Sequence, residues 1–219
     1  MSYKDHPFYT HQPFFIEILK NTSGNILECG CGEGSTYMIK DQIKNTNRKL
    51  VSLESNLEWL KKYTYLADES HILYHVDATN SDTIETGKKW IECIQKNNLD
   101  NFEIVFIDSS PWLSRKCCFE YFLDKAKIII FHDFDYFPNN NIIGSVSNKY
   151  TIYENGVYKE KITCDLDDVV KNYKLFYPPD EYFAGATGPP TLVSSNTMDD
   201  LEFQRLIRKI ETNIPSYYT

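Results

Sequence analysis

The sequence predicts an α/β fold in which a mostly parallel sheet is covered by helices on both faces, and three observations carry that reading. Short apolar runs near residues 25–29, 49–54, 71–76, 103–108 and 127–132 alternate with segments of helical periodicity, the order of elements that builds a parallel sheet. The first run, Ile26-Leu27-Glu28-Cys29, breaks into Gly30-Cys31-Gly32-Glu33-Gly34-Ser35, a turn that lets a ligand approach the main chain. Glu28, Glu54, Asp77 and Asp108 stand at or beside the ends of successive runs, and the carboxyl edge of such a sheet is where ligands bind.

The elements follow in order. His11 to Lys20 is an amphipathic helix whose Phe14, Phe15, Ile18 and Leu19 pack on the sheet. After the fifth run the pattern changes. Tyr150 to Glu154, Asn155-Gly156 and Val157 to Lys161 read as a β-hairpin, because Asn-Gly supplies the two positive-φ residues of a tight turn, and the hairpin is expected as an insertion at about 150–161. A short helix is predicted over 165–172. Strands follow at Lys174–Tyr177 and Thr191–Ser195, with a Pro/Gly-rich loop between them. Residues 199–212 form a last amphipathic helix, placed on the outer surface.

A chain of 219 residues with 42% hydrophobic content fills one sizeable core, so residues 1–219 are read as a single domain. No apolar run is long enough to span a bilayer, and the start of the chain lacks the apolar core of a signal peptide, which makes the expected location cytoplasmic. The net charge of −8 opposes attraction to phosphate backbones, so nucleic acid is a poor partner. Cys29, Cys31, Cys93, Cys117, Cys118 and Cys164 form no C-x-x-C pair of the kind that zinc or a redox motif requires.

Glu28 suits a ligand that carries a positive charge or an amine and would repel a pyrophosphate. The dinucleotide fingerprint is G-x-G-x-x-G, whereas this chain has G-x-G-x-G. That spacing, with the preceding acid, resembles motif I of class I S-adenosylmethionine-dependent methyltransferases. The resemblance implies a Rossmann-like sheet of seven strands, mostly parallel with a final antiparallel strand. It also implies S-adenosyl-L-methionine as cofactor, with Glu28, Gly30, Gly32 and Ser35 in its binding loop. Glu54 lies 26 residues after Glu28, about one strand-helix-strand unit later, where a ribose diol needs an acceptor. Asp77 resembles the family's adenine contact, and its side chain could equally cap the turn or helix that follows. Tyr9, Thr10 and Gln12 are placed to close over the methionine end of the cofactor.

Chemistry is expected after the fourth and fifth strands, where Asp108 and the His132-Asp133 pair reach one edge together. The arrangement resembles small-molecule and sugar O-methyltransferases, including the catechol type. An unperturbed imidazole is largely neutral at pH 7, which makes His132 the first candidate for general base; the plainer alternative is that it orients Asp133. Asp108 and Asp133 could instead hold a divalent cation, Mg or Mn, that lowers the acceptor pKa. Metal-dependent relatives place a third ligand directly after the second Asp, where this chain has Phe134, with Asp135 one residue later. The metal therefore stays unassigned. Acceptor recognition is expected from Ser110, Pro111, Trp112 and Arg115, and from Tyr182, Phe183, Thr187 and Gly188. Trp112 and Tyr182 either stack on the acceptor ring or close the core edge.

The function read from the sequence is methyl transfer to a hydroxyl of a small polar acceptor, a sugar or glycan, with a homodimer as a further possibility. The alternatives are an NAD-dependent oxidoreductase, which Glu28 and the missing third G-x-x-G glycine disfavour, and a non-catalytic cofactor-binding or interaction module.

Overall fold

In the computed structural model the described residues are 9–134, 149–154, 157–162, 166, 169–178 and 189–214. Seven strands form one sheet: β1 (Ile26–Cys29), β2 (Leu50–Glu54), β3 (His71–His75), β4 (Ile104–Ile107), β5 (Ile128–Phe131), β8 (Asn172–Phe176) and β9 (Thr191–Ser195). Their order is β3-β2-β1-β4-β5-β9-β8. The first five pair in parallel, and β9 runs antiparallel between β5 and β8. This is the predicted Rossmann-like sheet of seven mostly parallel strands. A separate two-stranded sheet pairs β6 (Lys149–Glu154) with β7 (Val157–Ile162) in antiparallel register, Lys149 opposite Ile162. The predicted Asn155-Gly156 turn between them lies outside the described residues, as do Asp135 and the loop bearing Tyr182, Phe183, Thr187 and Gly188.

The central strands are buried on both sides, which is why they read as unbroken apolar runs. Side chains alternate between two cores. Ile104, Phe106, Ile128 and Ile130 pack with Phe14, Phe15 and Ile18 of α1 (Gln12–Lys20), Ile39 of α2 (Thr36–Ile43) and Phe203 of α6 (Asp200–Asn213). Val105, Ile107, Ile129 and Phe131 pack with Trp90 and Ile94 of α4 (Ile84–Lys96) and Phe119 and Phe122 of α5 (Trp112–Phe122). The short α3 (Leu57–Lys61) follows β2 and is capped by the Asn56 side chain, which accepts from Trp59 N at 3.0 Å.

Two expectations change. Among the described residues of the 165–172 segment none is helical, and Asn172 opens β8. Leu166 and Val170 are buried in the core and Val169 is exposed, and Val170 N donates to Leu166 O at 2.7 Å. The last helix, α6, does more than cover the outside: Phe203, Leu206, Ile207 and Ile210 are buried, and it packs beside α1. Among the described residues no helix is long and apolar enough to cross a membrane.

Candidate active site

The glycine turn is shaped by its neighbours. Gly30 has φ +100°, and a Cβ there would lie 2.5 Å from the Asp108 carbonyl oxygen and 2.8 Å from Ser109 Cα. Glycine is required at this position because the backbone leaving β4 crosses against the turn. Gly32 is different: a Cβ would meet only Ser35 Oγ at 3.4 Å and Gly34 N at 4.0 Å. Gly34 admits Tyr9, whose Cδ1 would stand 2.6 Å from an added Cβ.

Glu28 is completely enclosed. Ser35 Oγ donates to its Oε1 at 2.5 Å, Thr36 Oγ1 reaches both oxygens at 3.0 Å, and Ser52 Oγ donates to Oε2 at 2.6 Å. Ser52 also meets His71 Nε2 at 2.9 Å. Burial pushes the Glu28 pKa up to about 7 against the opposing effect of these hydroxyls. Glu28 thus ties β1 to β2 and to the start of α2. Its service to a ligand is to hold the loop, with Ser35 on the cavity wall. Glu54 does similar work at the end of β2: its Oε2 accepts from Cys31 N at 3.1 Å and its Oε1 from Asn56 N at 2.7 Å. Burial raises the Glu54 pKa, with these backbone donors acting the other way. Asp77 is exposed just beyond β3, and the helix that follows is capped by Thr83 instead, whose side chain accepts from Thr86 N.

Above the loop lies a cavity of about 230 Å³ lined by Tyr9, His11, Gly32, Glu33, Gly34, Ser35, Trp59 and Asp108. Gly32, Ser35 and Asp108 are therefore brought together as the sequence implies. Trp59 is fixed by its Nε1, which donates to Cys31 O at 2.7 Å. Gln12 Nε2 donates to Gly34 O at 2.6 Å and ties α1 to the loop.

Behind the cavity, Asp108, His132 and Asp133 converge as predicted. His132 Nδ1 lies 3.4 Å from Asp108 Oδ2 and 3.4 Å from Asp133 Oδ1. Asp133 has φ +52°, a left-handed conformation that Asp tolerates and that turns its carboxylate toward the imidazole. Arg115, in the first turn of α5, closes the cluster from the other side. It pairs with Asp108 Oδ1 at 2.8 Å and Asp133 Oδ2 at 3.2 Å, and donates to Ser109 O at 2.7 Å and His132 O at 2.9 Å. Its guanidinium also lies 4.3 Å from the centre of the Trp112 ring. Arg115, read from sequence as acceptor-facing, is here part of the frame behind the carboxylates, and Trp112, partly exposed, packs against its guanidinium. Burial opposes the Asp108 charge, but Arg115 and His132 outweigh it and hold its pKa at about 2. Burial likewise opposes the His132 charge, and Asp133 and Asp108 overcome it, so His132 is more basic than a free imidazole.

His132 is not on the cavity wall. Its Nε2 faces Thr10 Oγ1 at 3.2 Å, its Nδ1 faces the carboxylates, and 1% of the residue is exposed. Asp108, with a quarter of its side chain exposed, is the member of the cluster that a ligand can touch. One ligand atom from each of Asp108, Asp133 and His132 lies within 4.8 Å of the others, with His132 Nδ1 3.4 Å from each carboxylate. The three residues form a group able to hold a metal ion, with Arg115 taking the outer oxygen of each carboxylate.

No family model matches the sequence, and no curated protein matches it. Solved structures do match the fold. The N-terminal domain of EvdMO1, determined in the presence of SAH and D-fucose, superposes with a TM-score of 0.50 at 11% identity, covering 87% of this chain and 84% of that one. Spermidine synthase from Thermotoga maritima gives a TM-score of 0.52 at 13% identity over 100% of this chain and 74% of the other. A spermidine synthase bound to the transition-state analogue AdoDATO gives 0.51 at 13% identity. At these identities the likeness is one of fold.

Proposed function

We propose that this protein is an S-adenosylmethionine-dependent methyltransferase that acts on a hydroxyl of a small polar molecule, with a sugar or glycan as the acceptor class. The observation that carries the reading is the cavity between the glycine loop and Asp108, whose lining includes two carboxylates and no cationic side chain among the described residues. Such a wall suits a sulfonium donor and opposes a dinucleotide pyrophosphate. The presence of SAH and D-fucose with the EvdMO1 domain supports the choice of donor and of acceptor class for a chain of the same fold.

In the transfer, the donor's sulfur–methyl bond breaks as the acceptor's oxygen–carbon bond forms, and the hydroxyl proton must leave. Asp108 accepts the hydrogen bond of the acceptor hydroxyl, and with the imidazole starting neutral the proton passes by way of Asp108 to Nδ1 of His132, where Asp108 and Asp133 stabilise the imidazolium that forms. Arg115 keeps the carboxylate charged and in place. His132 and Arg115 act through Asp108; they are positioning residues.

A second version is favoured by the convergence of Asp108, His132 and Asp133: these three would hold Mg or Mn, which when bound would supply Lewis-acid activation of the hydroxyl.

The test is calorimetric titration of the protein with S-adenosylmethionine, S-adenosylhomocysteine and NAD, in EDTA and in magnesium or manganese. Micromolar binding of the adenosyl ligands without NAD supports the reading, and a metal requirement in the acceptor assay selects the second version. A folded sample that binds neither adenosyl ligand sinks the methyltransferase reading and leaves a non-catalytic module as the better account.

A further inference from the structure

His11 belongs to no motif, yet its ring is on the cavity wall beside Asp108 and the glycine loop. It is 1% exposed, held between Phe106, with ring centroids 4.9 Å apart, and His132, at 4.6 Å. Neither ring nitrogen makes a hydrogen bond. The Gly34 carbonyl beside it accepts from Gln12 Nε2 and keeps a second lone pair that can take one imidazole N–H. The other nitrogen of this cavity-facing ring has no partner, and buried polar groups are nearly always partnered, so it calls for a ligand.

The chemistry of the wall names the ligand group. Glu33 and Asp108 contribute carboxylates, and Tyr9 OH donates to Glu33 Oε2 at 3.4 Å. At 1% exposure and packed between two rings, His11 is enclosed where a charged ring is disfavoured, and a neutral imidazole keeps a lone pair on one nitrogen. Two anions and a neutral acceptor surround a cationic donor of several hydrogen bonds, and an ammonium is such a group. The cavity, at about 230 Å³, is smaller than the usual 300–1,000 Å³ of a whole-ligand pocket and fits one arm of a ligand.

We propose that His11 accepts a hydrogen bond from the ammonium group on the amino-acid arm of the donor, and so selects donors that carry that arm. The inference rests on the S-adenosylmethionine reading above.

The test is titration of the full chain with S-adenosylhomocysteine and with 5′-methylthioadenosine, which lacks the amino-acid arm. His11→Phe keeps an aromatic ring between Phe106 and His132 and removes the acceptor; it should weaken S-adenosylhomocysteine about tenfold or more, the worth of a hydrogen bond to a charged group, and leave 5′-methylthioadenosine unchanged. His11→Gln retains an acceptor oxygen and should recover part of the loss, which also keeps the test valid where the Phe variant fails to fold. Equal weakening of both ligands, or no weakening of either, overturns the proposal while the cofactor reading stands. A wild-type protein that binds neither ligand overturns the cofactor reading and this inference with it.

Discussion

The rings of His11 and His132 meet edge to face, with centroids 4.6 Å apart and planes at 71°, and their surroundings shift their basicity in opposite directions. Burial lowers the basicity of His11, whereas Asp133 and Asp108 overcome burial and raise that of His132. Pairs of titratable groups separated in this way divide the work of a site between them. One ring faces the cavity as an acceptor, and the other stands behind Asp108 as a place for a proton.

That division predicts a split phenotype for His132→Phe. The ring is off the cavity wall, so affinity for S-adenosylhomocysteine should stay within about threefold of wild type, less than a single hydrogen bond is worth. Methyl transfer to the acceptor should fall about 100-fold or more, the usual contribution of a positioned acid or base. Titration and single-turnover transfer on the same preparation check both halves. Wild-type turnover would remove His132 from the proton path.

Arg115 predicts a cost to stability. Its side chain is 7% exposed and is paired with two carboxylates that are themselves only 25% and 15% exposed. Arg115→Met should leave both anions without a partner and cost about 3 kcal/mol. Adding Asp133→Asn should recover part of this, because one of the abandoned charges is then gone. Urea denaturation of the single and double variants measures both, and additivity would contradict the pairing.

The fold was legible because β1, β4 and β5 are buried on both faces and so appear as unbroken apolar runs. Asp108 and the His132-Asp133 pair were legible for a related reason: adjacent parallel strands deliver their ends to one edge. Arg115 was seen in the sequence but its direction was not, since its partners Asp108 and Asp133 are set by how α5 packs. His11 gave no signal at all, because only the docking of α1 brings it beside Phe106 and His132. Within the segment 165–172, where a helix was expected, the described residues show Asn172 drawn into β8, a pairing with β9 that the local sequence does not announce. Glu28 stands where the sequence puts it, at the end of β1, but its partner Ser52 on the neighbouring strand cannot be read from β1 alone.

Glu28 predicts a pH dependence. Its folded pKa of about 7 lies above that of an exposed glutamate, so the native state binds a proton that the unfolded chain releases. Below about pH 4.5 both states are protonated and no difference arises; as pH rises toward 7 the unfolded state gains, and stability falls by about 3 kcal/mol before levelling off. Glu28→Gln removes the titration, so its urea midpoint should change less between pH 5 and pH 8 than that of wild type. Parallel curves for the two proteins would mean that Glu28 does not titrate in this window.

The glycines of the loop predict an ordering that motif spacing alone does not give. At Gly30 an alanine meets a positive φ and the Asp108 carbonyl at once, and neither the backbone nor the β4 exit has room to give. Gly30→Ala should cost well over 1 kcal/mol, the more so because the strain and the clash add. At Gly32 the nearest atoms to an added methyl are at ordinary contact distance, so Gly32→Ala should stay within about 1 kcal/mol of wild type in stability. Its methyl would stand on the cavity lining, and the loss should therefore fall on ligand binding. Denaturation and titration of the two variants should thus give opposite profiles, Gly30→Ala lowering stability first and Gly32→Ala lowering affinity first. A Gly32→Ala protein that binds S-adenosylhomocysteine as wild type would place the ligand elsewhere than against this loop.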